Sequence, residues 1–331
     1  MNDSSPPICI IGAGRMGEGM AVAFSYAGFS VTLIDLKQRL AGDAEIYCHE
    51  VRSSLEAELL SLQSLGLLTS NQLKRVNQRI QICSRETAKP HFARAELIFE
   101  AVPEVLDIKR SCFAWLSEQC SPDAIIASTT STFLVTQLAE FVSNPRRFVN
   151  AHWLNPAMFM PLVEISRSAT TSEHVVQRLS SMLRKIGKVP VVCAPVAGYI
   201  VPRLQALVMN EAARMVEEGL ATAEEIDTAV NVGFGLRFSV LGLLEFIDWG
   251  GGDTLFYGSK YLVEQLSPRF TSPSIIAEHM HSHRNGMRDG QGFYNYDGVN
   301  LSQYKKQRLE QYIQRLELMG KMPVFEASSE S

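Results

Sequence analysis

The chain has 331 residues, 46% hydrophobic and 20% charged, with a net charge of −4, which fits a soluble globular protein long enough for two domains. That charge offers no basic face to nucleic acid, and the apolar runs are short and broken by prolines, so none reaches the roughly 20 residues of a membrane span. MNDSSPP lacks the charged and apolar regions of a secretory signal, and six cysteines without paired spacing read as free thiols of a reducing cytoplasm.

In chain order, ICII (residues 8–11) is apolar and suits a buried parallel strand. A glycine-rich turn follows, then a helical run from about Met16 to Tyr26 that Gly28 ends, then SVTLID as a second strand. Residues 38–85 have apolar residues at helical spacing, with Thr69 or Ser70 as an N-cap, and are predicted to be helical. Strands recur in ELIFEAV, AIIAST, RFVNAHW, LVEIS and VPVVCA, separated by helical patterns such as LDIKRSCFAWLSEQ and SEHVVQRLSSMLRKIG. This alternation predicts an α/β fold, with a Rossmann-type, doubly wound sheet over residues 1–194. After Pro195 only helical patterns remain, so residues 195–331 are expected to form an all-helical C-terminal domain. There Leu204, Leu207, Val208, Ala212, Met215 and Val216 share one helix face, and Gly219 closes the helix. The tail from about residue 324 is expected to be disordered.

Gly12, Gly14 and Gly17 form G-x-G-x-x-G between the first strand and its helix, and Asp35 closes the next strand 18 residues past Gly17. The glycines let backbone approach a pyrophosphate, and the helix N-terminus supplies positive dipole. Arg15 and Met16, inside the turn, are further candidate cofactor contacts. Asp35 accepts hydrogen bonds from an adenosine ribose and repels a 2′-phosphate, which favours NAD over NADP. Lys37 and Arg39 soften that preference without reversing it.

Residues 150–164, NAHWLNPAMFMPLVE, are mostly apolar yet carry His152 and Glu164. Oxidation of an alcohol needs a base with a pKa near neutrality, and histidine is the natural choice. A carboxylate on the far ring nitrogen fixes the tautomer and stabilises the imidazolium. The competing reading is a core histidine satisfied by a glutamate. The Met and aromatic residues of AMFMP either line a substrate pocket or pack in the core.

Six motifs in order, GAGRMG, FEAVPE with Lys109, ASTTS, HWLNP…PLVE, AGYIVPRL and RDGQGFYNY, resemble those of the L-3-hydroxyacyl-CoA dehydrogenase family over about residues 7–296. Gulonate and carnitine dehydrogenases and lambda-crystallin are relatives within it. The resemblance implies a Rossmann-type domain followed by a helical domain that usually builds a homodimer, with NAD as cofactor and a small-molecule substrate. It implies that His152 takes the substrate hydroxyl proton, that Glu164 orients His152, and that Ser131 hydrogen-bonds the substrate. Asn155 matches a residue near the nicotinamide and the catalytic groups. Glu104, Lys109 and Arg288 match cofactor-side positions, the last commonly a lysine in the family.

Three departures bear on the substrate. Pro202 stands where the family's GFIVNR has asparagine, and proline cannot polarise a carbonyl. SSLEAELLSL has Glu56 and Glu58 where family members commonly hold coenzyme A with a lysine, which leaves Ser54 as the remaining contact. GLRFSVLGLLEFID places Arg237 where acyl-CoA members usually have Gly-Pro. This form looks more like the relatives that oxidise free 3-hydroxy acids, because an arginine fork suits a carboxylate. Its competing reading is a surface ion pair. The expected substrates are therefore a short L-3-hydroxyacyl-CoA or a free 3-hydroxy carboxylate, against a third reading as a dinucleotide-binding protein of low turnover. His279 and His283 of HMHSH could share a helix face, but the chemistry needs no metal and none is expected.

Overall fold

Eight short strands build one sheet: β1 (Ile8–Ile11), β2 (Val31–Asp35), β3 (Ile80–Ser84), β4 (Leu97–Glu100), β5 (Ile125–Ser128), β6 (Phe148–Trp153), β7 (Leu162–Ser166) and β8 (Val189–Cys193). Their order across the sheet is β3-β2-β1-β4-β5-β6-β7-β8. All neighbours are parallel except β6 and β7, which pair antiparallel. The structure, a computed structural model, describes residues 7–324, the Ala41 side chain apart. The predicted disordered tail lies, from residue 325 on, outside the described residues.

Alternate residues of one strand enter opposite cores, as the period of two requires. Ile8 and Ile10 join Phe24, Leu33, Phe99 and Trp153 on one face, while Cys9 and Ile11 join Ile34, Phe113 and Phe148 on the other. Helices α1 (Arg15–Tyr26) and α2 (Ala41–Ser64) and the helix Glu173–Lys185 cover the first face, and the helix Leu106–Gln119 covers the second. Burial on both faces explains why the inner strands read as unbroken apolar runs. This is the doubly wound sheet that the sequence predicts.

One element differs from expectation. Within residues 38–85 the structure has α2, then α3 (Ser70–Gln78), and then the strand β3. Thr69 caps α3 with a capping box, as expected. β3 follows after Arg79 alone, so no glycine or proline marks the switch from helix to strand. As the sheet's edge it needs less burial: Ile80 and Cys83 are buried while Gln81 is exposed, a weak signal over five residues.

The chain divides into two compact units, one reaching Met209 and one from Asn210 onward. In the second, helices Ala223–Ala229, Leu243–Gly250, Gly252–Gln265, Ser274–His281 and Leu301–Leu318 dominate, with isolated bridges but no strand among the described residues. A π-helical segment, Val230–Gly235, interrupts the first of these runs just before Arg237. The helix Val201–Glu217 starts one residue before Pro202. The proline's missing N–H therefore falls in the first turn, where backbone donors have no intrahelical acceptor anyway. The helix Leu301–Leu318, beyond the stretch of resemblance, is tied back by Tyr304 and Arg308 to Glu245 and by Tyr312, which donates to the Arg237 carbonyl at 3.0 Å. No single helix among the described residues is long and apolar enough to cross a membrane.

Candidate active site

A cleft of about 790 Å³ opens at the carboxyl ends of β1, β2 and β4, lined by Gly12, Gly14, Arg15, Met16 and Asp35 among others. Gly12 has φ +105°, and a Cβ there would stand 2.4 Å from the Ala101 carbonyl oxygen. A Cβ on Gly17 would stand 1.9 Å from the Gly12 carbonyl oxygen, so the turn closes only without side chains at both positions. The first α1 amide with a helical acceptor is that of Glu18, which donates to Gly14. The amides of Arg15, Met16 and Gly17 are therefore left at a positively polarised helix end. Among the described residues, chain neighbours apart, nothing lies within 4 Å of the Cβ position of Gly14, which leaves room for a phosphate there. Asp35 is 6% exposed and accepts from Arg39 Nε at 2.6 Å. Arg39 stacks on Tyr47, whose hydroxyl donates to the Ala13 carbonyl. These residues fit a dinucleotide: donors for the pyrophosphate, a carboxylate for the ribose.

Glu104 and Lys109 sit in a network beside this cleft. Lys109, fully buried, pairs with Glu100 at 2.9 Å and Glu104 at 3.2 Å. Ser128 donates to Glu100, and Thr130 and Thr132 both donate to Glu104. Glu100 and Ser128 were not singled out in the sequence, although Glu100 closes β4, next to β1, and Ser128 closes β5 beyond it. Burial opposes ionisation of Glu104, but the threonine hydrogen bonds and the Lys109 charge outweigh it and hold its pKa below the ordinary carboxylate value. A depressed folded pKa stabilises the fold above the unfolded value, near pH 4, and the contribution disappears as pH falls through the folded value. Glu104→Gln should accordingly flatten the acid limb of stability below about pH 4. Urea titrations at stepped pH check this, and an unchanged limb would place the acid sensitivity elsewhere. Between the two tied threonines, Ser131 is exposed, and its hydroxyl has no partner among the described residues.

The antiparallel pairing of β6 and β7 sets His152 directly opposite Glu164. Residues so placed bring their side chains within contact distance. His152 Nδ1 lies 2.9 Å from Glu164 Oε2, and both residues are buried. Glu164 Oε1 accepts from the backbone amides of Ile200 and Val201, each at 2.9 Å. One carboxylate thus fastens the imidazole and the start of the helix that contains Pro202. His152 Nε2 has no hydrogen-bond partner among the described residues, and it is not among the sealed, unpartnered polar atoms. The free nitrogen is the one a substrate proton could reach.

Sequence reasoning missed one support of this pair and one of the loop that follows it. The ring of Tyr199 stacks on His152, with centroids 4.8 Å apart and planes 16° from parallel. Its hydroxyl donates to the Thr130 carbonyl at 2.8 Å, linking the imidazole to the loop that carries Ser131. An aromatic beside Gly198 in AGYIVPRL was the available signal. Lys188, also buried, donates to the carbonyls of Ala157, Met158 and Met160 at 2.6, 3.1 and 2.8 Å, and so shapes the AMFMP loop. Lys188→Met would leave three carbonyls without a donor, and we expect a loss of about 2–4 kcal/mol in urea unfolding. A change below about 0.5 kcal/mol would show that the loop holds itself. Asn155, three residues past His152, is exposed.

Ser54 donates to Glu18 on α1. In the second unit Arg288 pairs with Asp253 at 2.5 Å. Arg237 stacks on Phe246 at 4.7 Å and has no carboxylate partner among the described residues, so the ion-pair reading finds no support there. His279 packs edge-on against Phe293. RDGQGFYNY is a loop folded onto Asp248, which is 2% exposed and accepts from the amides of Phe293 and Tyr294 and the hydroxyl of Tyr296.

Residues 7–196 match the 3-hydroxyacyl-CoA dehydrogenase NAD binding domain, and residues 198–296 match the C-terminal domain of the same family. The chain belongs to the 3-hydroxyacyl-CoA dehydrogenase family. As a member it is an NAD-dependent oxidoreductase, and NAD is its cofactor. It is similar to a probable 3-hydroxybutyryl-CoA dehydrogenase of Deinococcus radiodurans, 31% identical over 288 residues that cover 87% of this chain and 99% of that one. A 5-formyl-3-hydroxy-2-methylpyridine 4-carboxylate 5-dehydrogenase of Mesorhizobium japonicum is 29% identical over 290 residues, 87% of this chain and 90% of that one. The crystal structure of a 3-hydroxyacyl-CoA dehydrogenase from Archaeoglobus fulgidus superposes with a TM-score of 0.75 at 27% identity, covering 96% of this chain and 100% of that one.

Proposed function

We propose that this family member oxidises a short L-3-hydroxyacyl-CoA, of the 3-hydroxybutyryl-CoA kind, to the 3-oxo thioester, and runs the reverse reaction as well. The observation that carries the reading is the buried His152–Glu164 pair with Nε2 left open. In this reading Nε2 accepts the substrate hydroxyl proton. Glu164, held by two backbone amides, keeps the proton-bearing Nδ1 side fixed and stabilises the imidazolium. Ser131 supplies a hydroxyl to the substrate oxygen, and Asn155 borders the same place. Bound NAD supplies the acceptor for the hydride leaving the carbinol carbon. The same chain forms a homodimer in this reading, since Leu207 and Met209 on the helix Val201–Glu217 are 67% and 68% exposed.

A second reading has three observations behind it. Arg237 has no carboxylate partner among the described residues, α2 carries Glu56 and Glu58 in place of a coenzyme A lysine, and the Mesorhizobium relative is named for a carboxylate. The same hydride chemistry on a free 3-hydroxy carboxylate would use Arg237 as the carboxylate's partner. Under it, Arg237→Ala raises KM for the acid by about tenfold or more, the range of a charge-assisted hydrogen bond, and leaves KM for a thioester nearly unchanged. Equal effects on both would leave Arg237 with a packing role on Phe246. The deciding experiment follows NADH absorbance with 3-hydroxybutyryl-CoA, 3-hydroxybutyrate, carnitine and gulonate. Turnover of the thioester alone sinks the free-acid reading, and turnover of an acid alone sinks the first. Failure of all four while NADH binds would favour a protein of low turnover.

A further inference from the structure

A second large cavity, about 710 Å³, opens at the amino ends of β1, β2 and β3, the opposite edge of the sheet from the dinucleotide cleft. Strands of four to five residues separate the two sites by roughly 13–17 Å. Arg75, Arg79, Arg94, His91, Gln78 and Gln81 line it, and among the described residues no acidic one does. Arg75 and Arg79 also line an adjoining cavity of about 350 Å³.

Among the described residues these charges are not neutralised. Among the described residues Arg75 and Arg94 make no ion pair, and the side chain of Arg79 donates only to the Ser25 carbonyl, at 3.3 Å. Glu96, two residues from Arg94, is taken by Arg178. His91 Nδ1 stands 3.4 Å from the Thr32 hydroxyl. Cations near the end of α3 offset its dipole, which is worth about 0.3–1 kcal/mol each and accounts for Arg75 and Arg79 singly. It does not account for Arg94, nor for three like charges around one concavity, whose mutual repulsion an anion would relieve.

We propose that this cavity binds a small molecule through a di- or triphosphate group. Its volume falls within the roughly 300–1,000 Å³ of small-molecule sites. Planar guanidinium forks match phosphate oxygens two at a time, and the glutamine amides add neutral donors. A phosphate chain free in solution and one attached to a nucleoside share this chemistry.

The test is calorimetric titration of the full chain with inorganic tripolyphosphate, with NAD at saturation so that the dinucleotide cleft is filled. One site per chain is expected, weakening as salt is raised. Arg94→Gln, which removes a side chain without partners among the described residues, should weaken binding at least about fivefold, and the pair Arg79→Gln with Arg94→Gln about tenfold or more. NADH affinity should be unchanged in both. ATP is titrated in parallel: equal affinity assigns the site to the phosphate chain alone, and tighter binding adds the nucleoside. The proposal is overturned if tripolyphosphate does not bind, if saturation with NAD abolishes binding, or if Arg94→Gln and the double variant bind as the parent does.

Discussion

Replacing His152 by alanine should lower kcat by about 10²–10⁴-fold, the usual contribution of a positioned general base, and leave the NADH dissociation constant nearly unchanged. The first half follows from geometry. Nδ1 is committed to Glu164, so the only nitrogen able to accept a proton is the open one, and alanine removes it. The second half follows from placement. His152 does not line the dinucleotide cleft, whose walls are the glycine turn and the ends of β2 and β4. Because the imidazole is stacked on Tyr199, its removal also leaves a gap. His152→Gln, which fills more of that space, should be as inactive as the alanine variant if proton transfer is what is lost. Stopped-flow turnover and fluorescence titration of NADH check both variants. A variant that keeps most of its turnover would remove His152 from the mechanism.

Asp248→Ala should cost the second unit about 3–5 kcal/mol, the largest stability effect we expect. Two backbone amides and one tyrosine hydroxyl converge on this buried carboxylate from the RDGQGFYNY loop. Hydrogen bonds to a charged group contribute about 1.5–3 kcal/mol each, and their donors, of which the Tyr296 hydroxyl is buried, would be left unpaired. Asp248→Asn keeps one acceptor oxygen and should lose about half as much. Hydrogen exchange across residues 286–296 reads the loop directly, and urea unfolding gives the magnitude. Normal protection of the loop in Asp248→Ala would show that its own turns hold it. The motif that resembles a family signature is then, in this chain, first of all the wrapping of an acidic side chain.

The six motifs were legible because each is local. The glycine turn needs Gly12 and Gly17 for reasons of contact distance alone, and its place between strand and helix is visible in hydrophobic pattern. β3 was not legible, because an edge strand of five residues buries too little to imprint a period, and a helix runs almost directly into it. Tyr199, Lys188 and Asp248 were passed over for a different reason. Each acts on residues at least 28 positions away, and although the aromatic beside Gly198 stands out in the sequence, nothing local names its partner.

What the sequence by itself determined is the doubly wound α/β half, the dinucleotide turn with Asp35, and the mainly helical, strand-free character of the described residues of the C-terminal part, since hydrophobic period and turn chemistry are short-range properties. What only the tertiary structure decided is that β7 turns antiparallel to β6, which sets Glu164 across from His152, and that Glu164 also gathers the first amides of the next helix. Strand direction and register depend on the burial of whole faces against distant helices, a balance summed over the entire core and written in no single stretch of chain.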